Sequence, residues 1–89
     1  MAVLMTSEIA GQTFEGYDGL FHTVSPALKQ AQGFLMHVSH PLDGGWRVIE
    51  IWNSREDAAQ FFASTIAPNL PDGIRPKLTF ELLHDVLHP

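Results

Sequence analysis

Over the first ten residues the side chains fall into two alternating sets, Val3, Met5, Ser7 and Ile9 against Leu4, Thr6 and Glu8, which predicts a strand over 2–9. Gly11 interrupts it, and Thr13 is placed to cap a helix. The apolar residues that follow are Phe14, Tyr17, Phe21, Val24, Leu28 and Ala31, spaced by three and four, and the opposite stripe is Glu15, Asp18, His22, Ser25 and Lys29. Gly16 and Gly19 each cost about 1 kcal/mol relative to Ala in a helix interior. Pro26 removes a backbone donor and is expected to kink or restart the helix after Ser25. Gly33 ends it. GFLMHVSH reads as a second strand, Asp43-Gly44 as a type I′ hairpin turn, and GWRVIEIW as a third strand. Ser54, with Asp57 three residues on, weakly resembles a capping box and starts a second helix whose buried face is Ala58, Phe61, Phe62, Thr65 and Ile66. NLPDGIRP ends that helix, and 77–87 is the last strand, with Leu78, Phe80, Leu82 and Val86 on the same face as His84.

Strand, helix, strand, strand, helix, strand is the split βαβ order of ferredoxin-like α+β folds, here as a single domain over 1–89. Two helices cover one sheet face. The other face of the second and third strands is also largely apolar, so it needs a cover, and a second copy of the chain in a homodimer supplies one. Composition agrees: 45% of residues are hydrophobic and 17% charged, apolar for so short a chain. The absence of cysteine excludes disulfides and thiolate metal sites.

Ten acidic and five basic residues give a net charge of −5, and Lys29, Arg47, Arg55, Arg75 and Lys77 are scattered singly, which argues against nucleic-acid binding. The opening MAVLMTSEIA lacks a basic region and a long apolar stretch, and no apolar run reaches the ~20 residues that span a bilayer. The expectation is a cytoplasmic protein with no membrane partner.

The segment GGWRVIEIWNSREDAAQFF, preceded by GFLMHVSH, resembles the antibiotic-biosynthesis-monooxygenase-like proteins of the dimeric α+β barrel superfamily. The matching piece is Glu50-x-Trp52-x-Ser54-x-Glu56, a strand end running into a helix cap. The resemblance implies a dimeric α+β barrel with a pocket between helices and sheet. Its relatives include cofactor-independent quinone-forming oxygenases, heme-degrading enzymes, isomerases and many small proteins without known activity. Many carry a histidine in the second helix, used as an iron ligand in the heme-degrading branch. This chain has Phe61 and Phe62 there instead, which argues against heme and for an aromatic-lined pocket that takes an uncharged or aromatic ligand.

With Asp43 and Gly44 as the two turn residues, His37 lies opposite Glu50, Leu35 opposite Trp52, and His40 opposite Arg47. His37, Glu50, Trp46 and Trp52 then share one face, with the two tryptophans as candidate substrate contacts, and His40 and Arg47 share the other. A histidine beside a carboxylate is a candidate general base, because the carboxylate fixes the imidazole tautomer. The same pair can equally be a cross-strand polar contact that satisfies itself. His84 is either a satisfied core histidine or a pocket donor. Arg47 either holds an anionic group or pairs with an acid near the barrel rim. Tyr17, Phe21 and Phe62 are placed to overhang the sheet as core or as ligand contacts. His22 and His88 are expected to be solvated and idle. His37 and His40 point to opposite faces, and His84 and His88 stand about 13 Å apart at strand rise, so no metal or other cofactor is expected. Two functions follow. One is a cofactor-independent monooxygenase, isomerase or cyclase acting on an aromatic or polyketide-like compound through His37 and Glu50. The other is a non-catalytic ligand-binding or structural module.

Overall fold

A computed structural model describes all residues, Met1 to Pro89. The elements follow the expected order: β1 (Val3–Ala10), α1 (Phe14–Gln30), β2 (Phe34–Leu42), β3 (Gly45–Trp52), α2 (Arg55–Phe61) and β4 (Lys77–Leu82). α2 runs on into a π-helical segment, Phe62–Ile66, and a 3₁₀ turn, Ala67–Asn69. The four strands form one antiparallel sheet in the order β2-β3-β1-β4, the arrangement of a ferredoxin-like α+β fold.

Alternation in β1 and β3 does what it predicts. Val3, Met5, Ser7 and Ile9 on β1, and Trp46, Val48, Glu50 and Trp52 on β3, are buried beneath the helices. Two apolar clusters result. Val3, Met5 and Trp52 pack with Leu28, Ala58 and Phe61, while Ile9, Trp46 and Val48 pack with Tyr17. Between them the sheet face carries Ser7 and Glu50, the polar side chains of an otherwise apolar β1–β3 floor. The uncovered face presents Leu4, Met36, Val38, Ile49 and Ile51, of which Met36 and Val38 are 45% and 48% exposed. An ion pair of 2.7 Å between Arg47 and Glu8 closes one end of this patch. No helix is long and apolar enough to cross a membrane.

Both helices start at the expected caps. The Thr13 hydroxyl accepts from the Gly16 N–H at 3.0 Å and the Ser54 hydroxyl from the Asp57 N–H at 3.1 Å. α1 passes through Pro26 as one unbroken helix, so the expected restart does not occur.

Three local expectations are corrected. Of the two turn residues only Gly44 has positive φ, 77°, so the hairpin is not type I′, which needs positive φ at both. The Gly44 carbonyl is instead tied to the β1–α1 corner by the Gly11 N–H at 2.8 Å. A bulge between Phe34 and Met36 puts Phe34, not Leu35, opposite Trp52, and leaves Leu35 44% exposed. β4 ends at Leu82, five residues short of Leu87, because its partner β1 begins at Val3 and the ladder runs out. Leu83 makes one last bond, its N–H to the Ala2 carbonyl at 2.9 Å, and His84 and Val86 lie beyond the sheet.

Two glycines predict opposite responses. A Cβ on Gly45 would run into the Ile9 carbonyl oxygen, whereas one on Gly19 would meet only open space. Gly45→Ala should lower unfolding free energy by about 1–3 kcal/mol, as overpacking does. Gly19→Ala, in an exposed helix interior, should raise it by about 1 kcal/mol. Urea titration of the two variants checks both signs.

Candidate active site

The hairpin register decides what the buried face can do. Across β2 and β3, His37 pairs with Glu50 and Ser39 with Val48, so the imidazole and the carboxylate stand side by side beneath α1. His37 Nδ1 lies 2.8 Å from Glu50 Oε2. The other carboxylate oxygen, Oε1, accepts from Trp52 Nε1 at 2.9 Å. Trp52 is fully buried, and its indole N–H needs an acceptor; Glu50, two residues back along the strand, is the one within reach. The E-x-W strand end is thus a physical unit: alternate residues share a face, so the carboxylate meets the indole.

Helix α1 completes the arrangement. The Tyr17 hydroxyl sits 2.6 Å from His37 Nε2. With Glu50 ionised, His37 donates from Nδ1 and accepts the Tyr17 hydroxyl proton at Nε2. One continuous chain of hydrogen bonds therefore runs from Tyr17 through His37 and Glu50 to Trp52. The Tyr17 ring is held by stacking on Trp46, centroids 4.7 Å apart, and on Phe21, 5.7 Å apart, while Phe21 lies 4.9 Å from the imidazole. Burial pushes the Tyr17 phenol above its ordinary 10.0; the Ser39 hydroxyl opposes that shift, and the carboxylates of Glu50 and Asp18 add to it. The phenol is therefore protonated, and a donor, throughout the neutral range.

The chain borders a cavity of about 60 Å³ between helices and sheet. Its wall is mostly apolar, with Leu20, Phe21 and Val24 from α1 and Phe61, Phe62 and Ile66 from α2 and the π segment. Ser7, Tyr17, His37 and Glu50 are the polar groups that reach it, and neither lysine nor arginine does. Sequence reasoning missed Ser7 and the π segment. Ser7 reads as one more member of an alternating strand, and five residues in a π turn have the composition of an ordinary helix end. Such turns recur at functional sites.

The remaining residues singled out from sequence lie elsewhere. Trp46 and Trp52 are buried but do not line the cavity; Trp46 backs Tyr17 and Trp52 anchors Glu50. The Trp46 Nε1–H is buried without a partner, and the residue meets Tyr17 through its ring. Arg47 lies on the far face, committed to Glu8 through two hydrogen bonds of 2.7 and 3.0 Å, and does not meet a pocket ligand. His84 is exposed beyond the end of β4 and is neither a core histidine nor a pocket donor, because the strand that would carry it stops first. His22, His40 and His88 are also exposed. No three His, Asp or Glu side chains converge.

The sequence matches no protein-family model and none of the curated proteins. Solved structures do share the fold. SnoaB, a cofactor-independent oxygenase from Streptomyces nogalater, superposes with a TM-score of 0.74 at 13% identity, over 97% of this chain and 96% of that one. Rv0793 from Mycobacterium tuberculosis gives 0.75 at 11% identity, over 99% of this chain and 100% of that one. The heme-degrader MhuD from the same organism, with two hemes bound in its active site, gives 0.63 at 20% identity, over 94% and 98%. The fold is accordingly that of the antibiotic-biosynthesis-monooxygenase-like proteins, as the E-x-W strand end implied. The residues present do not fit a heme. α2 and the π segment contain no histidine, and His37, the one histidine at the cavity, has both ring nitrogens engaged.

Tyr17 is the single tyrosine of the chain, so its ionisation can be read without interference. Spectrophotometric titration of the native protein should give a phenol midpoint above 10.0, returning to the ordinary value in denaturant. A phenol whose pKa is raised on folding stabilises the fold below pH 10 and loses that contribution as pH rises through the native midpoint. Stability should therefore fall in that window, and the Tyr17→Phe protein should lack this part of the slope.

Proposed function

We propose that this protein binds a small, uncharged aromatic or polyketide-like compound in the cavity and moves a proton on it through His37 and Glu50. The observation that carries this reading is the hydrogen-bonded chain bordering an apolar cavity that neither lysine nor arginine reaches. An anionic ligand would face Glu50 with nothing to balance it. A phenol or an enolisable ketone suits the site better: its ring takes the apolar walls, and its acidic proton has a histidine within one hydrogen bond of the cavity. Glu50 holds the tautomer with Nδ1 protonated and balances the imidazolium that forms when His37 takes up a proton. The deprotonated compound can then react with molecular oxygen, isomerise or cyclise without a bound cofactor. The likeness of fold to SnoaB, a cofactor-independent oxygenase, supports this class of reaction.

A second reading draws on the size of the cavity. At about 60 Å³ it is far smaller than the roughly 300 Å³ of ordinary ligand sites, so binding has to displace the partly exposed Phe21 and Phe62 at its wall. A non-catalytic ligand-binding or structural module would keep the same polar chain simply to satisfy a buried carboxylate. Deuterium exchange into 2-tetralone, an enolisable bicyclic ketone, separates the two. Wild-type protein should accelerate exchange above the solution rate, and His37→Ala should lose at least about 100-fold of that acceleration while still folding. Binding without accelerated exchange would favour the module.

The open sheet face supports a homodimer. Leu4, Met36, Val38, Ile49 and Ile51 form a continuous apolar surface on the side opposite the helices, and packing it against a second copy would close an α+β barrel. Lacking cysteine, such a dimer has no need of an oxidising compartment and suits the cytoplasm. In sedimentation equilibrium the wild-type protein should run as two chains of 9.9 kDa each and Val38→Lys as one. A monomeric wild type would remove the dimer from the proposal.

A further inference from the structure

His37, the general base of the proposed function, is not free to meet a substrate. Its Nδ1 is committed to Glu50 at 2.8 Å, and its Nε2 lies 2.6 Å from the Tyr17 hydroxyl. Any proton reaching this imidazole from the cavity must either displace Tyr17 or pass through it. Displacement is disfavoured by the way the ring is held. It stacks on Trp46 and on Phe21, and its residue is one of four buried members of an apolar cluster with Ile9, Trp46 and Val48. The Tyr17 hydroxyl has a donor position filled by His37 and a lone pair left over, and Tyr17 lines the cavity.

We propose that Tyr17 is the residue that contacts the substrate and exchanges the proton with it, with His37 and Glu50 as positioning residues behind it. This rests on the proton-transfer reading of the site and assigns the contact to a different atom. The step is a relay. As the substrate C–H or O–H bond breaks, its proton passes to Tyr17 Oη. The proton already on Oη passes to His37 Nε2, and the electron pair stays on the substrate as an enolate or phenolate. Tyr17 is neutral before and after, no free phenolate is made, and the new positive charge appears on His37, where Glu50 faces it at 2.8 Å. The charged and titratable groups around Tyr17 are His37 on β2, Glu50 on β3, and Asp18 on its own helix. Both carboxylates disfavour an isolated phenolate, and the relay avoids one. In the reverse direction Tyr17 donates to an enolate and recovers its proton from His37.

Because Tyr17 is the only tyrosine, growth on a ring-fluorinated tyrosine makes this one hydroxyl more acidic and leaves the other side chains as they are. Exchange of deuterium into 2-tetralone is followed across pH for wild type, the fluorotyrosine protein, Tyr17→Phe and His37→Ala. The expected result is that Tyr17→Phe loses at least about 100-fold of the acceleration, and that the high-pH limb of the fluorotyrosine profile moves to lower pH with the phenol. Tyr17→Phe exchanging as fast as wild type, with His37→Ala inactive, would overturn the role of Tyr17 and leave the proton-transfer reading intact. A fluorotyrosine profile that superimposes on the wild-type profile would overturn it too, whatever Tyr17→Phe does to the fold. No acceleration by the wild-type protein would overturn both.

Discussion

A carboxylate buried between two apolar clusters is the constraint on which the rest of this structure hangs. Glu50 is 7% exposed, and a charge so placed is costly unless each oxygen finds a donor. Trp52 supplies one and His37 the other. Each donor then imposes its own demand. Trp52, fully buried, fixes the end of β3 and receives Phe34 and Phe61 against its ring, at centroid distances of 5.5 and 5.7 Å. His37, once tied at Nδ1, presents Nε2 to helix α1, and Tyr17 answers it. Satisfying one buried group thus links strand β2, strand β3 and helix α1 through side chains alone.

The same network lies where the two clusters part. Along β1 the buried face runs Val3, Met5, Ser7, Ile9, and along β3 Trp46, Val48, Glu50, Trp52. The polar members, Ser7 and Glu50, interrupt the apolar floor, and the cavity opens above them. A core built only for stability would fill this space with one more aliphatic side chain, since buried polar groups add little net support to a fold. Here it holds a phenol, an imidazole and a carboxylate in series instead. The sheet is two-sided in a second sense: its helix face carries the candidate site, and its open face carries the apolar Met36, Val38, Ile49 and Ile51.

How far the site could be read in advance varies residue by residue. His37 opposite Glu50 followed from two turn residues and strict alternation, and the pairing occurs although the turn is not the type expected. Below Met36 the register is regular, so the error about the turn did not propagate. Above it the bulge shifted Leu35 away from Trp52, because a bulge depends on how the strand meets its neighbours and leaves no mark in composition. Tyr17 was placed over the sheet by helical spacing, but its bond to Nε2 needed the distance between helix and sheet, which no local pattern contains. His84 failed for a comparable reason: the length of β4 is set by where β1 begins.

The order of elements, the two helix caps, the buried faces of β1 and β3, and the adjacency of His37 to Glu50 are legible in the order of the amino acids. All of these depend on periodicity or on contacts a few residues apart. Folding in three dimensions settles that Glu50 is shared with Trp52, that Tyr17 closes the chain of hydrogen bonds over His37, and that Arg47 and His84 stand outside it. Those outcomes turn on where a helix settles on a sheet and how far an edge strand is paired, quantities fixed by packing across the whole molecule.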